Sequence, residues 1–517
     1  MTRAGAVGIV RVLRAADSEA LDREAAAAGI PVRALMQRAG AAAATEIVRR
    51  LPHLLKEGVL VYTGAGNNGG DGWVLARALA TAGIRVAVTE VAPAKTEEAK
   101  AERALARPLV SPEATGCERI VVDALLGTGA RGAPRNESAK AIEAIADARA
   151  RGATVVALDV PSGLDADSGD ATVAVHADVT LTFAAPKRGL LSARSRTGTI
   201  VVLDIGLGQG DAALPELVGE QWVRDTVPPI PADAHKGVRG RLMIIGGGHG
   251  MTGAALLAAR AAMRSGIGLV RLVVPREALP IVQAAEPQAL AATWPVDDGA
   301  REVMRAALES WADVVLIGPG LGNTEETRQI SHDVLAHWRG PIVIDADGLN
   351  VFAGDVQALG RLCEGRPALL TPHVAEAARL LGEENASVAR DRYDAASRLA
   401  ALTRATVLLK GVPTIITDED GRTMVSASGT PALAAGGSGD ILAGISAALM
   451  ARMPDPLAVG ACAAWVHGRA GEIATRGSTP RSVALSRVLE ALELAWNFSP
   501  PPPSYPAIAE LPAVAES

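Results

Sequence analysis

The chain has 517 residues, 49% hydrophobic and 21% charged, with a net charge of −6 and only 3% aromatics. That is the composition of a globular protein with an ample core filled by Ala, Val and Leu, and an acidic balance without a long basic run argues against nucleic acid as a partner. No apolar stretch approaches the roughly 18 residues of a membrane helix, and the scattered Cys117, Cys363 and Cys462 make no metal-ligand spacing and fit a reduced, cytoplasmic setting.

Met1–Ala16 carries Arg3, Arg11 and Arg14 but neither serine nor an apolar core, so it does not read as a targeting segment. Beyond it, strand-length apolar runs alternate with helical stretches rich in Ala, Arg and Glu, the pattern of a parallel sheet covered by helices in each half. Strands are expected at Val59–Tyr62, Arg85–Thr89, Arg119–Val122, Thr154–Leu158, Val179–Phe183 and Thr199–Leu203. After a break they are expected at Arg241–Ile245, Leu269–Val274, Val314–Ile317, Ile342–Ile344, Ala368–Leu370 and Thr406–Leu409. The reading divides the chain into a domain over 1–220, a proline-rich linker over 221–234, a second domain over 235–496 and a disordered, proline-rich tail over 497–517.

The first strand runs into Thr63-Gly-Ala-Gly-Asn-Asn-Gly-Gly-Asp71. Gly64, Gly66 and Gly69 satisfy the dinucleotide spacing GxGxxG, and Glu90 falls where a ribose-binding acid would stand. That reading leaves Asn67, Asn68 and Asp71 unexplained, because a loop that only admits a pyrophosphate needs small residues. Two more strands end in the same way, at Val121-Val-Asp-Ala-Leu-Leu-Gly-Thr-Gly-Ala-Arg-Gly-Ala133 and at Ala157-Leu-Asp-Val-Pro-Ser-Gly163. Carboxyl ends of parallel strands share one edge, so Asn68, Asp123 and Ser162 can converge there as a hard-oxygen site for a monovalent or divalent cation. Asp165 to Asp170 lacks the spacing and terminal glutamate of a calcium loop and reads as a solvated turn.

These strings, with Ala20–Glu24 and Leu35–Gly40 upstream, resemble the NAD(P)H-hydrate epimerase domain, although Gln37 stands where that family often has glutamate. The resemblance implies that Asn67, Asn68, Gly69, Gly70 and Asp71 hold the hydrated nucleotide together with Gly127, Thr128, Gly129, Ala130, Arg131, Gly132 and Ala133. It implies a potassium ion on Asn68, Asp123 and Ser162, and Asp159 against the substrate. Epimerisation at the hydrated carbon requires a proton carrier; Asp159 is the expected one, Asp123 its rival, and Lys187 would offset phosphate charge.

In the second half, glycine turns follow strands at Gly246–Ala254 and Gly318–Gly322, and polar strings end others at Ile344–Asn350, Leu370–His373 and Leu409–Thr414. Then Ala435-Gly-Gly-Ser-Gly-Asp440 opens an apolar helix. Small residues at a helix start expose N–H donors to a phosphoryl group in flight, and the aspartate beyond can take a proton from an attacking hydroxyl. This arrangement resembles the ribokinase-like superfamily and, over about residues 230–490, the NAD(P)H-hydrate dehydratase domain. By resemblance, Ala254, Gly322, His373 and Asp440 contact the hydrated nucleotide. Lys410, Gly411, Val412, Pro413 and Thr414, with Gly436, Gly437, Ser438 and Gly439, hold ADP with magnesium, and Asp440 is catalytic. His373-Val-Ala-Glu376 departs from the family's His-Pro-Gly-Glu, and Gly248 replaces a common serine.

The fold expected is therefore α/β in two three-layer sandwiches, Rossmann-like then ribokinase-like. The function implied is the epimerisation of NADH and NADPH hydrates and ADP-dependent dehydration of the S form, by a homo-oligomer without nucleic-acid or membrane partners. The rival is a ribokinase-like small-molecule kinase with a non-catalytic first domain. The loops do not distinguish ADP from ATP; the fused architecture, which resembles prokaryotic enzymes, points to ADP.

Overall fold

The computed structural model describes residues 9–208, 210–295, 297–498 and 505–514. The chain forms two compact units, Met1–Leu217 with Pro501–Val514, and a second that begins at Val218. Each is a three-layer α/β sandwich, the first Rossmann-like and the second ribokinase-like.

In the first unit β1 (Val59–Thr63), β2 (Val86–Glu90), β3 (Ile120–Ala124), β4 (Thr154–Leu158), β5 (Val179–Phe183) and β6 (Thr199–Leu203) lie parallel in the order β2-β1-β3-β4-β5-β6. The strands are mostly apolar because both faces are covered. Val59, Val61, Ile120 and Val122 feed one core, while Leu60, Val121, Val155 and Ala157 feed the other. Val59 stands beside Val86 on one side and Ile120 on the other, so the chain leaves β1 in both directions. Such a reversal opens a crevice at the strands' carboxyl ends. There a Cβ on Gly64 would overlap the Leu125 carbonyl oxygen, so the turns after β1 and β3 touch only because residue 64 is glycine.

A two-residue strand, β7 (Glu216–Leu217), ends this stretch of chain. The second unit holds β8 (Arg241–Ile245), β9 (Leu269–Val274), β10 (Leu290–Thr293), β11 (Val314–Ile317), β12 (Ile342–Ile344), β13 (Ala368–Leu370) and β14 (Thr406–Leu409) in parallel, then the antiparallel β15 (Thr414–Thr417) and β16 (Thr423–Ser426). Their order is β10-β9-β8-β11-β12-β13-β14-β15-β16, which puts the reversal between β8 and β11. Alternate residues again serve two cores, Leu242 and Ile244 against one set of helices, Met243 and Ile245 against the other. At the reversal Gly318 has φ 123°, and a Cβ there would overlap the Asp345 carbonyl oxygen.

Several expectations need correction. Strands β2 and β3 begin one residue later than expected, at Val86 and Ile120; the Arg85 and Arg119 carbonyls still accept from Val59 N and Thr154 N, and the Arg85 side chain turns back to the Glu57 carbonyl. Strands β10, β15 and β16 were not expected; β15 and β16 form a hairpin whose strands are only four residues long, each with two apolar residues. Thr414 heads β15 instead of ending a loop. A helix, Glu220–Thr226, occupies part of the expected linker and buries Val223. The tail is not without structure: Ala507–Leu511 is a strand paired antiparallel with β6. Ala507 and Leu511 are buried there, and Glu510 bonds Arg50 at 2.7 Å. The prolines set the sequence reading, but beyond them apolar residues alternate as an edge strand requires. The proline run itself, 499–504, lies outside the described residues.

Candidate active sites

The helix Asn67–Thr81 starts directly from the turn after β1, with Gly66 as its cap. Its first N–H groups therefore face the crevice as an anion-binding end. Over it lies a cavity of about 530 Å³ lined by Asn67, Asn68, Asp71, Gly127, Thr128, Gly129, Ala130, Asp159 and Lys187. Leu35, Met36, Phe183 and Ile205 supply an apolar wall, and Asp22, from the upstream helix, completes the acidic side. Gly69 and Gly70 do not line it; they let the helix pass the Gly64 carbonyl and the Met36 side chain. Arg131, Gly132 and Ala133 are exposed and lie outside the lining.

Asp123 is 0% exposed, and its carboxylate is taken up by three donors. The Ser162 hydroxyl donates at 2.6 Å, the Ser162 N–H at 2.8 Å and the Leu125 N–H at 3.2 Å. Burial lifts its carboxyl to about 6, against relief from those hydrogen bonds. Sealed from the cavity, Asp123 cannot reach a substrate. The Asn68 amide donates to the Leu126 carbonyl at 2.8 Å, which leaves its Oδ1 buried without a partner. That orphaned oxygen, beside Ser162 Oγ and the Leu126 carbonyl, is an acceptor-rich spot lacking positive charge, and it fits a potassium ion.

Asp159 adopts φ 63° at the end of β4, and Ala184 at the end of β5 adopts φ 62°. Positive φ is costly for residues other than glycine and concentrates at functional sites. Asp159 Oδ1 accepts from Lys187 Nζ, which is held in turn by Thr182 Oγ1 and the Phe183 carbonyl, each at 3.2 Å. Asp71 differs: it is 9% exposed, and among the described residues its carboxyl takes no hydrogen bond or ion pair. Burial first, then Asp159 and Asp22, push it well above the usual carboxylate range, with Lys187 opposing. Asp22 is raised by burial and by Asp159 in the same way.

In the second unit the Gly436–Gly439 turn passes into the helix Ser438–Met450, whose cap Gly437 has φ 96°. Asp440 lies in the first turn. Lys410 follows β14, and its ammonium bonds Asp345 Oδ1 at 2.9 Å and approaches Glu376 Oε2 at 3.7 Å. Burial opposes the charge of Lys410, but Asp345 and Glu376 outweigh it and the lysine is raised. Asp440 is lifted to about 7 by burial and by Asp345 and Asp347, with Lys410 opposing. A Cβ on Gly439 would sit 3.3 Å from Lys410 Nζ, so that lysine spans from the β14 loop to the glycine turn.

The other expected residues gather around this pair. Asp347 Oδ2 accepts from the Gly322 N–H at 2.8 Å, and Ala254 packs its Cβ beside Gly320. His373 caps the helix Val374–Leu381: its Nδ1 accepts from Ala375 N, while Glu376 Oε2 accepts from His373 N at 2.8 Å. The Val-Ala replacement thus leaves a closed capping box. Arg392 fastens the nucleotide loop, donating to the Val412 carbonyl at 2.8 Å and to that of Pro413. Among the described residues no three acidic, histidine or cysteine side chains form a metal site. A magnesium ion here would depend on nucleotide phosphates, and the surplus of carboxylate over Lys410 fits such a charge.

Sequence reasoning missed Asp22, Asp345, Asp347 and Arg392 as site residues. Asp345 and Asp347 had a signal, since they follow β12 on the same sheet edge as the other loops. Asp22 lay in the quoted string Ala20–Glu24 but carried no sign of its place in the cavity, and Arg392 had no signal, because each arrives on a helix remote in sequence from the loop it serves.

Residues 242–493 match the NAD(P)H-hydrate dehydratase family model, and residues 32–189 match the model described as YjeF-related protein N-terminus. The chain is 35% identical over 511 residues to the bifunctional NAD(P)H-hydrate repair enzyme Nnr of Moorella thermoacetica, covering 93% of this chain and 96% of that protein. The Escherichia coli enzyme of the same name is 35% identical over 497 residues, 92% of each chain. A Bacillus subtilis ADP/ATP-dependent NAD(P)H-hydrate dehydratase structure, co-crystallised with ATP and magnesium, is 29% identical with a TM-score of 0.49, covering 56% of this chain and 99% of that one.

Proposed function

The chain belongs to the family of bifunctional NAD(P)H-hydrate repair enzymes, and from that premise we propose how its two units divide the work. The first epimerises (R)- and (S)-NAD(P)H hydrate; the second dehydrates the S form to NAD(P)H as ADP becomes AMP and phosphate. The observation that carries this reading is a carboxyl placed beside a glycine turn in each unit and raised by burial, Asp71 in one and Asp440 in the other.

Epimerisation breaks and remakes the C–O bond at the hydrated carbon. The departing oxygen needs a proton, and water returning to the other face must lose one. Asp159 is the proton carrier, ion-paired to Lys187, and Asp71, whose carboxyl burial pushes upward, is its complement, two acids placed in different surroundings. Asn68, Ser162 and Asp123 would hold potassium, which would supply charge for the nucleotide phosphates; Asn67 and Gly127 to Ala130, which line the cavity, hold the nucleotide itself.

In the second unit Asp440 takes the proton of the substrate hydroxyl as its oxygen bonds to the terminal phosphorus of ADP, and the bond to AMP breaks. The Gly436–Gly439 N–H groups and Lys410 receive the charge on the moving phosphoryl group. The ring nitrogen's lone pair then expels phosphate from carbon, and loss of the neighbouring C–H proton restores the dihydropyridine. Ala254, Gly322 and His373 hold the hydrate, and Lys410 to Thr414 the nucleotide. Among the described residues no helix is long and apolar enough to cross a membrane. Free thiols at Cys117, Cys363 and Cys462 suit work in the reducing cytoplasm.

The test is recovery of dihydronicotinamide absorbance from a mixed-epimer hydrate pool with ADP, magnesium and potassium. Full recovery is expected. Recovery that stops near half would remove the epimerase assignment, and stable phosphorylated product would identify a kinase instead. Replacing potassium by a larger organic cation should slow only the second half of the recovery.

A further inference from the structure

The helix Pro456–Thr475 is buried along most of its length, and its interior residues are nearly all Ala, Gly, Val, Leu, Cys and Trp. The exceptions are Thr475 at its end and His467 within it. His467 is 8% exposed within that helix, and burying an imidazole costs stability unless a bond offsets it. Its one hydrogen-bond partner among the described residues is the Ser438 hydroxyl, 3.2 Å from Nε2. Ser438 is the serine of the Gly436–Gly439 turn, one residue before Gly439 and two before Asp440.

The rest of the same helix face follows the chain into that turn. A Cβ on Gly468 would overlap Ser428 Oγ, and one on Gly471 would sit 2.8 Å from Leu433, so helix and chain are in direct contact at both points. Glu472 Oε1 accepts from the Gly429 N–H at 3.0 Å, and Ser428 Oγ donates to the Trp465 carbonyl at 3.1 Å. One rigid helix therefore supports residues 428–433 by packing and residue 438 by a single side-chain bond. Between these anchors, 434–436 are exposed.

We propose that His467 is a positioning residue for the dehydration reaction, holding Ser438 so that the glycine turn meets the phosphoryl group with its N–H donors already aligned. Donation from Nε2–H to Ser438 Oγ leaves the serine O–H free to point toward an anion, whereas the reverse polarity would present only lone pairs. Burial, with Lys410 nearby, keeps the imidazole neutral, holding it down to about 4, so the tie is constant across the working pH range. Preorganisation of this kind acts on the rate of phosphoryl transfer more than on nucleotide affinity.

This inference rests on the dehydratase reading. The experiment measures kcat and KM for ADP in full-length wild type, His467→Ala, His467→Gln, Ser438→Ala and the His467→Ala/Ser438→Ala double variant, with thermal melting of each. In His467→Ala we expect kcat to fall about 10- to 100-fold with KM for ADP nearly unchanged. His467→Gln, which can place an N–H near Nε2, should regain much of the loss. The double variant should be no worse than the poorer single, because both remove one tie. Unchanged kcat, losses that multiply, or a glutamine variant no better than alanine would overturn the proposal. Should His467→Ala fail to fold, the comparison of His467→Gln with Ser438→Ala still decides it: a glutamine variant slower than Ser438→Ala counts against the tie. A wild type that dehydrates nothing with ADP or ATP overturns the reading itself, whereas wild-type turnover with indifferent variants overturns the inference alone.

Discussion

At Asp440 burial, reinforced by Asp345 and relieved by Lys410, lifts the carboxyl to about 7. The sign of two consequences follows. A general base works only when ionised, so dehydration should rise with pH up to about 7 and level off above it. The folded state meanwhile prefers the neutral acid, so ionisation costs stability as pH rises from the ordinary carboxylate range through 7. Asp440→Asn removes both effects: dehydration should drop by about 10²- to 10⁴-fold, and the variant should melt above wild type, with a gap wider at about pH 8 than at about pH 5. Rate profiles and melting curves at the two pH values check this, and a gap that narrows with pH would refute it. The same residue scale separates the aspartates of the first unit. Asp123, Asp159 and Asp71 each sit at a strand or helix end in sequence, yet one is sealed by Ser162 and Leu125, one is paired with Lys187 and one is left alone.

Among the elements, the strand Ala507–Leu511 shows how far a local reading reaches. Its alternation is visible in the sequence, but the proline run before it masked the pattern. Without it, β6 would present an open edge of N–H and C=O groups, and Arg50 would keep only Glu46 of its two acid partners. Deleting residues 505–517 should therefore lower the melting temperature of the first unit and slow epimerisation, while the rate of dehydration of the S epimer stays as in wild type. Equal damage to both activities would contradict that assignment. Apart from β10, the parallel strands were legible almost residue by residue, since a strand buried on both faces is mostly apolar. The hairpin β15–β16 and the short β10 were not, because four residues of alternation are too few to tell a strand from a loop.

For the molecule as a whole, each catalytic group lies at the carboxyl edge of its own sheet, so each unit holds its own complete set of residues. Asp159→Asn should stop epimerisation and spare dehydration; Asp440→Asn should do the opposite. Mixed in equal amounts, the two variants should recover the full hydrate pool, and absorbance stopping near half would refute free exchange of the epimer between them. The sequence by itself determined the two α/β halves, the glycine turns and the polar residues that follow the strands, because these depend on neighbours in the chain and on the period of burial. The tertiary structure decided which carboxyls are sealed, paired or free, that Asp345 and Glu376 meet Lys410, and that His467 reaches Ser438 across 29 residues. Charge state and hydrogen-bond partnership are set by groups brought together from distant elements, and no local pattern carries that information.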